Sequence, residues 1–108
     1  MDRDHVTVLV SHQTVPGQRD AVVGVWMKHM AEAVASNQGH VSYVYCLDED
    51  DSDAVLAFQV YADAAAATAF LQTSAYASYE NEVRPLLASP PVVRRLAQLW
   101  RKEGSGGA

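Results

Sequence analysis

Stretches in which apolar residues alternate with polar ones are separated by stretches where they recur every three or four positions. These two rhythms predict the elements. Residues 5–14 (HVTVLVSHQT) read as a first strand, with Val6, Val8 and Val10 in one row and Thr7 and Leu9 facing the other way. Val15-Pro16-Gly17 breaks it. Over 18–35, Val22, Val23, Trp26, Met27, Met30, Ala33 and Val34 build one apolar stripe, which predicts a single helix stopped near Asn37 or Gly39. Residues 39–63 then carry two strands joined by an acidic turn. Val41, Tyr43, Tyr45 and Leu47 share one face of the first, opposite Ser42, Val44 and Cys46; in the second, Leu56, Phe58 and Val60 oppose Val55, Ala57, Gln59 and Tyr61. Asp63 is placed to cap an alanine-rich helix over 64–71, Ser74 a further helical segment over 75–84, and Ser89-Pro90-Pro91 leads into a last strand over 92–100.

The order is βαββαβ with a split second helix. That is the ferredoxin-like α+β plan, a four-stranded antiparallel sheet with helices on one face. Both faces of the strands are largely apolar, whereas a sheet wetted on one side would alternate apolar with polar. The helices cover one face. The other needs a partner, and the simplest is a second copy related by two-fold symmetry. Burying ~600 Å² of apolar surface per subunit would contribute on the order of 15 kcal/mol before association costs.

Length and charge narrow the picture further. A chain of 108 residues makes one domain, read here as 1–103, with Gly104-Ser105-Gly106-Gly107-Ala108 as a disordered tail. The net charge of -5 with no basic stripe argues against nucleic acid, and no apolar run reaches the roughly 20 residues of a membrane helix. The charged start (MDRD) predicts no export signal, and with a single cysteine, Cys46, a cytoplasmic location is the expectation. Metal is not expected: the four histidines (5, 12, 29 and 40) show no ligand spacing, and the DEDDSD turn lacks the glycine and distal Glu of an EF-hand.

Pro16-Gly17 before the first helix, Gly39-x-x-x-Tyr43, Phe58-x-x-Tyr61-x-Asp63 running into an Ala-rich helix, the Thr73-Ser74 break and the closing Pro-Pro plus strand stand in a suggestive order. Over residues 5–102 the chain resembles the antibiotic biosynthesis monooxygenase family of the dimeric α+β barrel superfamily. The resemblance implies a small homodimeric enzyme that oxidises quinols, anthrones or related phenolic polyketides with O2 and no bound flavin or metal. It also admits a polyketide cyclase or isomerase on the same scaffold, or a non-catalytic small-molecule binding module. Three positions depart from the family pattern: Gln59 where Glu is frequent, and Phe70 and Ala75 where His is common.

Such chemistry calls for an apolar, aromatic-lined cavity that holds the phenol, assists its deprotonation and stabilises the anion. His29, at the edge of the helical stripe, is the candidate base; the plainer reading is a partly exposed helical histidine. Arg84 would meet a phenolate or superoxide, or merely suit a helix C-terminus. Tyr43 completes the catalytic set. Trp26, Gln59, Tyr61, Tyr76 and His12 are the expected substrate contacts, although Gln59 suits the subunit interface better still. His5 and His40 are expected in solvent.

Overall fold

In the computed structural model, which describes residues 5–102, the alternating stretches pair into one antiparallel sheet. Its strands are β1 (Val6–Gln13), β2 (His40–Leu47), β3 (Ala54–Tyr61) and β4 (Val92–Leu96), in spatial order β2-β3-β1-β4. Register puts Val8 opposite Gln59, Val10 opposite Ala57 and His12 opposite Val55, so these six residues share one face. Tyr43 and Tyr45 join that face from β2, and Val93 and Arg95 from β4. The helices α1 (Arg19–His29), α2 (Ala31–Ala35), α3 (Ala64–Leu71) and α4 (Ser74–Val83) bury it, with Val22, Val25, Trp26, Met30, Val55 and Phe70 among the core residues. The ferredoxin-like α+β plan therefore stands.

Four local expectations change. The helix over 18–35 is interrupted at Met30, whose φ of -107° departs from helical values although its N–H still reaches the Trp26 carbonyl at 2.7 Å. Thr73, not Ser74, caps α4: its hydroxyl accepts from the Tyr76 N–H at 3.2 Å and donates to the Phe70 carbonyl at 2.8 Å. One side chain thus closes α3 and opens α4. The last strand stops at Leu96, because its partner residue Thr7 lies next to the first residue of β1 and the ladder runs out. Beyond it Gln98 donates to the Thr7 hydroxyl at 2.9 Å, while Leu99 and Trp100 stand 96% and 80% exposed. In β2, finally, a bulge between His40 and Ser42 moves Val41 out of the row expected for it. The tail at 104–108 lies outside the described residues.

Polar ties hold the frame where apolar packing is thin. Arg19, at the start of α1, donates through one guanidinium nitrogen to the backbone carbonyls of Asp48 and Asp51 at 2.9 Å and of Ala54 at 3.2 Å. A cation among five turn carboxylates is favourable, and its hydrogen bonds fix the β2–β3 turn against the helix. Gly17, with φ of 83°, turns the chain into α1 and donates its N–H to the Asp53 carboxylate at 3.0 Å. At Gly39 the requirement is space, since a Cβ would come within 2.9 Å of the Ala66 Cβ.

The far face of the sheet carries Leu9, Val44, Leu56, Phe58, Val60, Val92 and Leu96, and no helix crosses it among the described residues. Apart from Val60, which is buried beside its partner Thr7, its apolar side chains are exposed or half-buried.

Candidate functional site

Between the helix-facing side of the sheet and helices α1, α3 and α4 lies a cavity of about 420 Å³. That is the size of a small-molecule site. All five tyrosines of the chain, residues 43, 45, 61, 76 and 79, line it, together with Trp26 and Phe70. Strand parity explains three of them, because 43, 45 and 61 fall on the helix-facing side. Spacing along α4 explains the others, three residues apart on one helical face.

Burial pushes every one of these phenols above its ordinary value: Tyr43 up to about 12, with the Trp26 N–H partly opposing the shift, and Tyr45, Tyr61, Tyr76 and Tyr79 upward as well. For Tyr79 the nearby phenols of Tyr45, Tyr43 and Tyr76 add to the effect. The hydroxyls therefore stay protonated at neutral pH and act as donors. Tyr43 accepts from the Trp26 indole N–H at 3.1 Å, which leaves its own proton to give. Tyr45 stacks on Trp26 with centroids 4.4 Å apart, and its buried hydroxyl has no hydrogen-bond partner among the described residues. A buried hydroxyl without a partner is destabilising, and a ligand oxygen would relieve it.

His12 sits in the wall from β1, 8% exposed, its ring 6.3 Å from that of Tyr79 in an edge-on contact. Burial lowers its pKa below the ordinary 6.5, so the imidazole is neutral at pH 7 and able to accept a proton. Gln59, 7% exposed, lines the same cavity from β3, directly across from Tyr43. It faces the helices, which removes it from the bare face and from the interface role open to it on sequence grounds. The mouth is charged: Arg84, Arg95 and Glu80 line it and are exposed.

Of the expected site residues, Trp26, Tyr43, Gln59, Tyr61, Tyr76, Arg84 and His12 meet in this cavity. His29 does not. It projects from the end of α1 toward α4, where its Nε2 lies 2.7 Å from the Glu82 carboxylate, beside the Lys28–Glu82 ion pair. An imidazole with a carboxylate in reach and water beside it gains more there than in an apolar cavity, so the candidate base is on the outer surface. His40 reverses the other way. The β2 bulge pairs it with Tyr61, and its ring packs 4.3 Å from Tyr61 and 4.7 Å from Phe70, behind the cavity wall. Tyr45 and Arg95 join the lining unforeseen. Tyr45 was legible from its shared parity with Tyr43; Arg95 depended on the register of β4. Among the described residues no three His, Cys, Asp or Glu side chains come together to hold a metal ion.

Two histidines shielded from water, His12 buried and His40 half-buried, predict how stability follows pH. His12 and His40 both have pKa values lowered chiefly by burial, so the unfolded chain takes up their protons first as pH falls. Stability is then constant above the unfolded value and declines below it, because the unfolded state binds more protons. The urea midpoint is expected to drop between about pH 7.5 and about pH 5.5, a window above the carboxylates. A flat or rising midpoint there would contradict the shielding of the two rings from water.

The sequence profile of the family described as Antibiotic biosynthesis monooxygenase matches residues 5–82. No curated protein matches the chain. Among solved structures it is similar to two provisionally assigned antibiotic biosynthesis monooxygenases. One, from Chloroflexus aurantiacus, shares 22% identity over 92% of this chain and 97% of that one, with a TM-score of 0.76. The other, from Nitrosomonas europaea, shares 14% over 95% and 98%, with a TM-score of 0.84. Rv0793 from Mycobacterium tuberculosis is similar at 22% identity over 92% and 99%, with a TM-score of 0.82. At such identities these likenesses establish the fold.

Proposed function

The chain belongs to the antibiotic biosynthesis monooxygenase family, a membership that supports a general monooxygenase-like role, and from that premise we propose that it oxidises a phenolic, quinol or anthrone-like aromatic with O2, without a bound flavin or metal. The observation that carries this reading is the cavity itself, walled by every tyrosine of the chain and holding His12 as its one imidazole. Its volume suits a ring system of a few fused rings.

An electron-rich phenol can reduce O2 by itself once it is ionised, so the protein's part is to bind, deprotonate and exclude water. His12 takes the substrate proton. The phenolate or enolate passes one electron to O2, and the resulting superoxide and substrate radical join to form a C–O bond. The proton held by His12 returns to the peroxide, whose O–O bond breaks with loss of water to leave a carbonyl. One CH2 and one O2 become one C=O and one H2O, so no external reductant is needed. Along β1, His12 stands four residues from Val8, which pairs with Gln59; at ~3.4 Å per residue the base and the Gln59–Tyr43 donors lie about 14 Å apart at their backbones. A substrate with oxygens toward both ends fits that separation.

We also propose that the bare sheet face is covered by a second copy of the chain. The apolar row through Val44, Phe58 and Leu9, with exposed Leu99 and Trp100 beyond the edge strand, supports this. The cavity opens on the other side of the sheet, so the dimer would leave it free.

The test is O2 uptake by the purified protein with a panel of anthrones and hydroquinones. Uptake above the uncatalysed rate, with one O2 consumed per oxygen atom inserted into the product, is expected. Uptake no faster than the blank across the panel would overturn the proposal, and ring closure that proceeds equally under nitrogen would assign the cavity to a cyclase instead.

A further inference from the structure

Behind the cavity wall a row of hydrogen bonds runs from the backbone to Gln59, and one fixed donor determines the polarity of the whole row. The Gly39 backbone N–H can only donate, and it meets the Asn37 side-chain oxygen at 3.3 Å. Asn37 must therefore present its NH2 to His40 Nδ1, 2.9 Å away. That makes Nδ1 the acceptor and places the imidazole proton on Nε2. Nε2 lies 3.3 Å from the Gln59 side-chain oxygen, and the Tyr61 hydroxyl donates to the same oxygen at 2.8 Å. Both lone-pair positions of the Gln59 carbonyl are thereby used. The opposite amide orientation would set an N–H of Gln59 against the Nε2–H of His40.

The remaining end of Gln59 is its NH2, which takes no partner among the described residues although the side chain is 7% exposed and forms part of the cavity wall. The amide nitrogen keeps some accessible surface, so its acceptor has to come from whatever fills the cavity. Across the ladder stands Tyr43, whose hydroxyl already accepts from Trp26 and has its own proton to give. Side chains directly opposite on neighbouring strands have Cβ atoms about 5 Å apart, so both donors can reach one oxygen.

We infer that the Gln59 amide and the Tyr43 hydroxyl form a two-donor seat for the oxygen anion of a phenolic or enolic substrate, and that His40 and Asn37 are positioning residues which turn the Gln59 NH2 into the cavity. The inference rests on the proposed use of the cavity for a phenolic ligand and adds to it the sign of the recognition. The seat takes an acceptor oxygen and rejects a group that must donate. Preorganised donors of this kind favour charge that develops as the proton leaves. Gln59 is thus more than an inert replacement for a carboxylate, which could only accept.

The probe is p-nitrophenol, whose ionised form is yellow, titrated with pH in the presence of the protein. Bound to the unmodified chain it should ionise about one pH unit lower than when bound to Gln59→Met, a tenfold change in ionisation constant of the size a charge-assisted hydrogen bond produces. Gln59→Glu, which still accepts from His40 and Tyr61 but cannot donate, should move the bound ionisation to a higher pH still, and His40→Leu should shift it in the same direction by less. A second measurement needs no variant: 15N NMR of the histidine rings at about pH 8 should find the His40 proton on Nε2. Identical ionisation of bound nitrophenol in the unmodified and Gln59→Met proteins overturns the inference alone, as does a His40 proton on Nδ1. No nitrophenol binding by the unmodified chain overturns the cavity reading and the inference with it.

Discussion

Replacing His12 by Asn is expected to lower kcat for phenol oxidation by about 10²- to 10⁴-fold, the range lost when a general base is removed, with little change in KM. The expectation follows from placement. His12 is the one imidazole in the cavity wall, and burial keeps it neutral at pH 7 and so ready to take a proton. Asparagine occupies similar space and can still hydrogen-bond the substrate, so binding should persist while proton transfer fails. The pH profile carries a second signature. The unmodified rate should rise through the His12 pKa, which lies below the ordinary 6.5, and be flat from about pH 7 upward until the substrate itself ionises; the Asn variant should lack that limb. His29→Asn is the matched control. His29 pairs with Glu82 outside the cavity, and its loss should change the rate less than about twofold if the assignment is right. A full rate in His12→Asn with a collapse in His29→Asn would reverse the roles given to the two residues.

The contrast between those two histidines indicates what a sequence can and cannot convey. Strand identity and helix stripes were legible because period-2 and period-3.6 patterns are local, and the faces of β1 and β3 followed from parity alone. Gln59, Tyr61, Tyr43 and His12 were placed by that parity. His29 failed because its position at the edge of a helical stripe allows either direction, and the choice was made by Glu82, fifty-three residues away. His40 failed for a different reason. Simple alternation puts it with Ser42, Val44 and Cys46 on the bare face, and only the extra residue of the β2 bulge turns it toward Tyr61. A bulge leaves no mark in the hydrophobic pattern. The hydrogen-bond row from Gly39 to Gln59 was invisible for the same cause, since it depends on His40 being on the helix side. The role of Arg19 was equally hidden, since its partners are backbone carbonyls, which carry no side-chain signal at all.

Phe58→Asp is expected to convert a dimer into single chains at micromolar concentration, seen by sedimentation velocity as a halved mass. Phe58 occupies the middle strand pair, opposite Leu9 on β1 and Val44 on β2, and is 38% exposed in the isolated chain. Within one chain a carboxylate there can reach water, so the fold should survive, with far-UV and near-UV circular dichroism unchanged. Between two apolar faces it cannot. Desolvating an unpaired carboxylate costs several kcal/mol, and two-fold symmetry repeats the cost in each copy, which would weaken association by well over a hundredfold. The unmodified chain must first sediment as a dimer, for a well-behaved single chain would remove the second copy from the proposal. The substitution also separates assembly from chemistry. Phe58 points away from the cavity, on the opposite side of the strand from Gln59 and Ala57. If the seat for the substrate lies wholly within one chain, the separated Phe58→Asp protein should bind p-nitrophenol as the unmodified one does. Loss of binding together with the dimer would instead mean that the second copy shapes the cavity through the sheet both faces share.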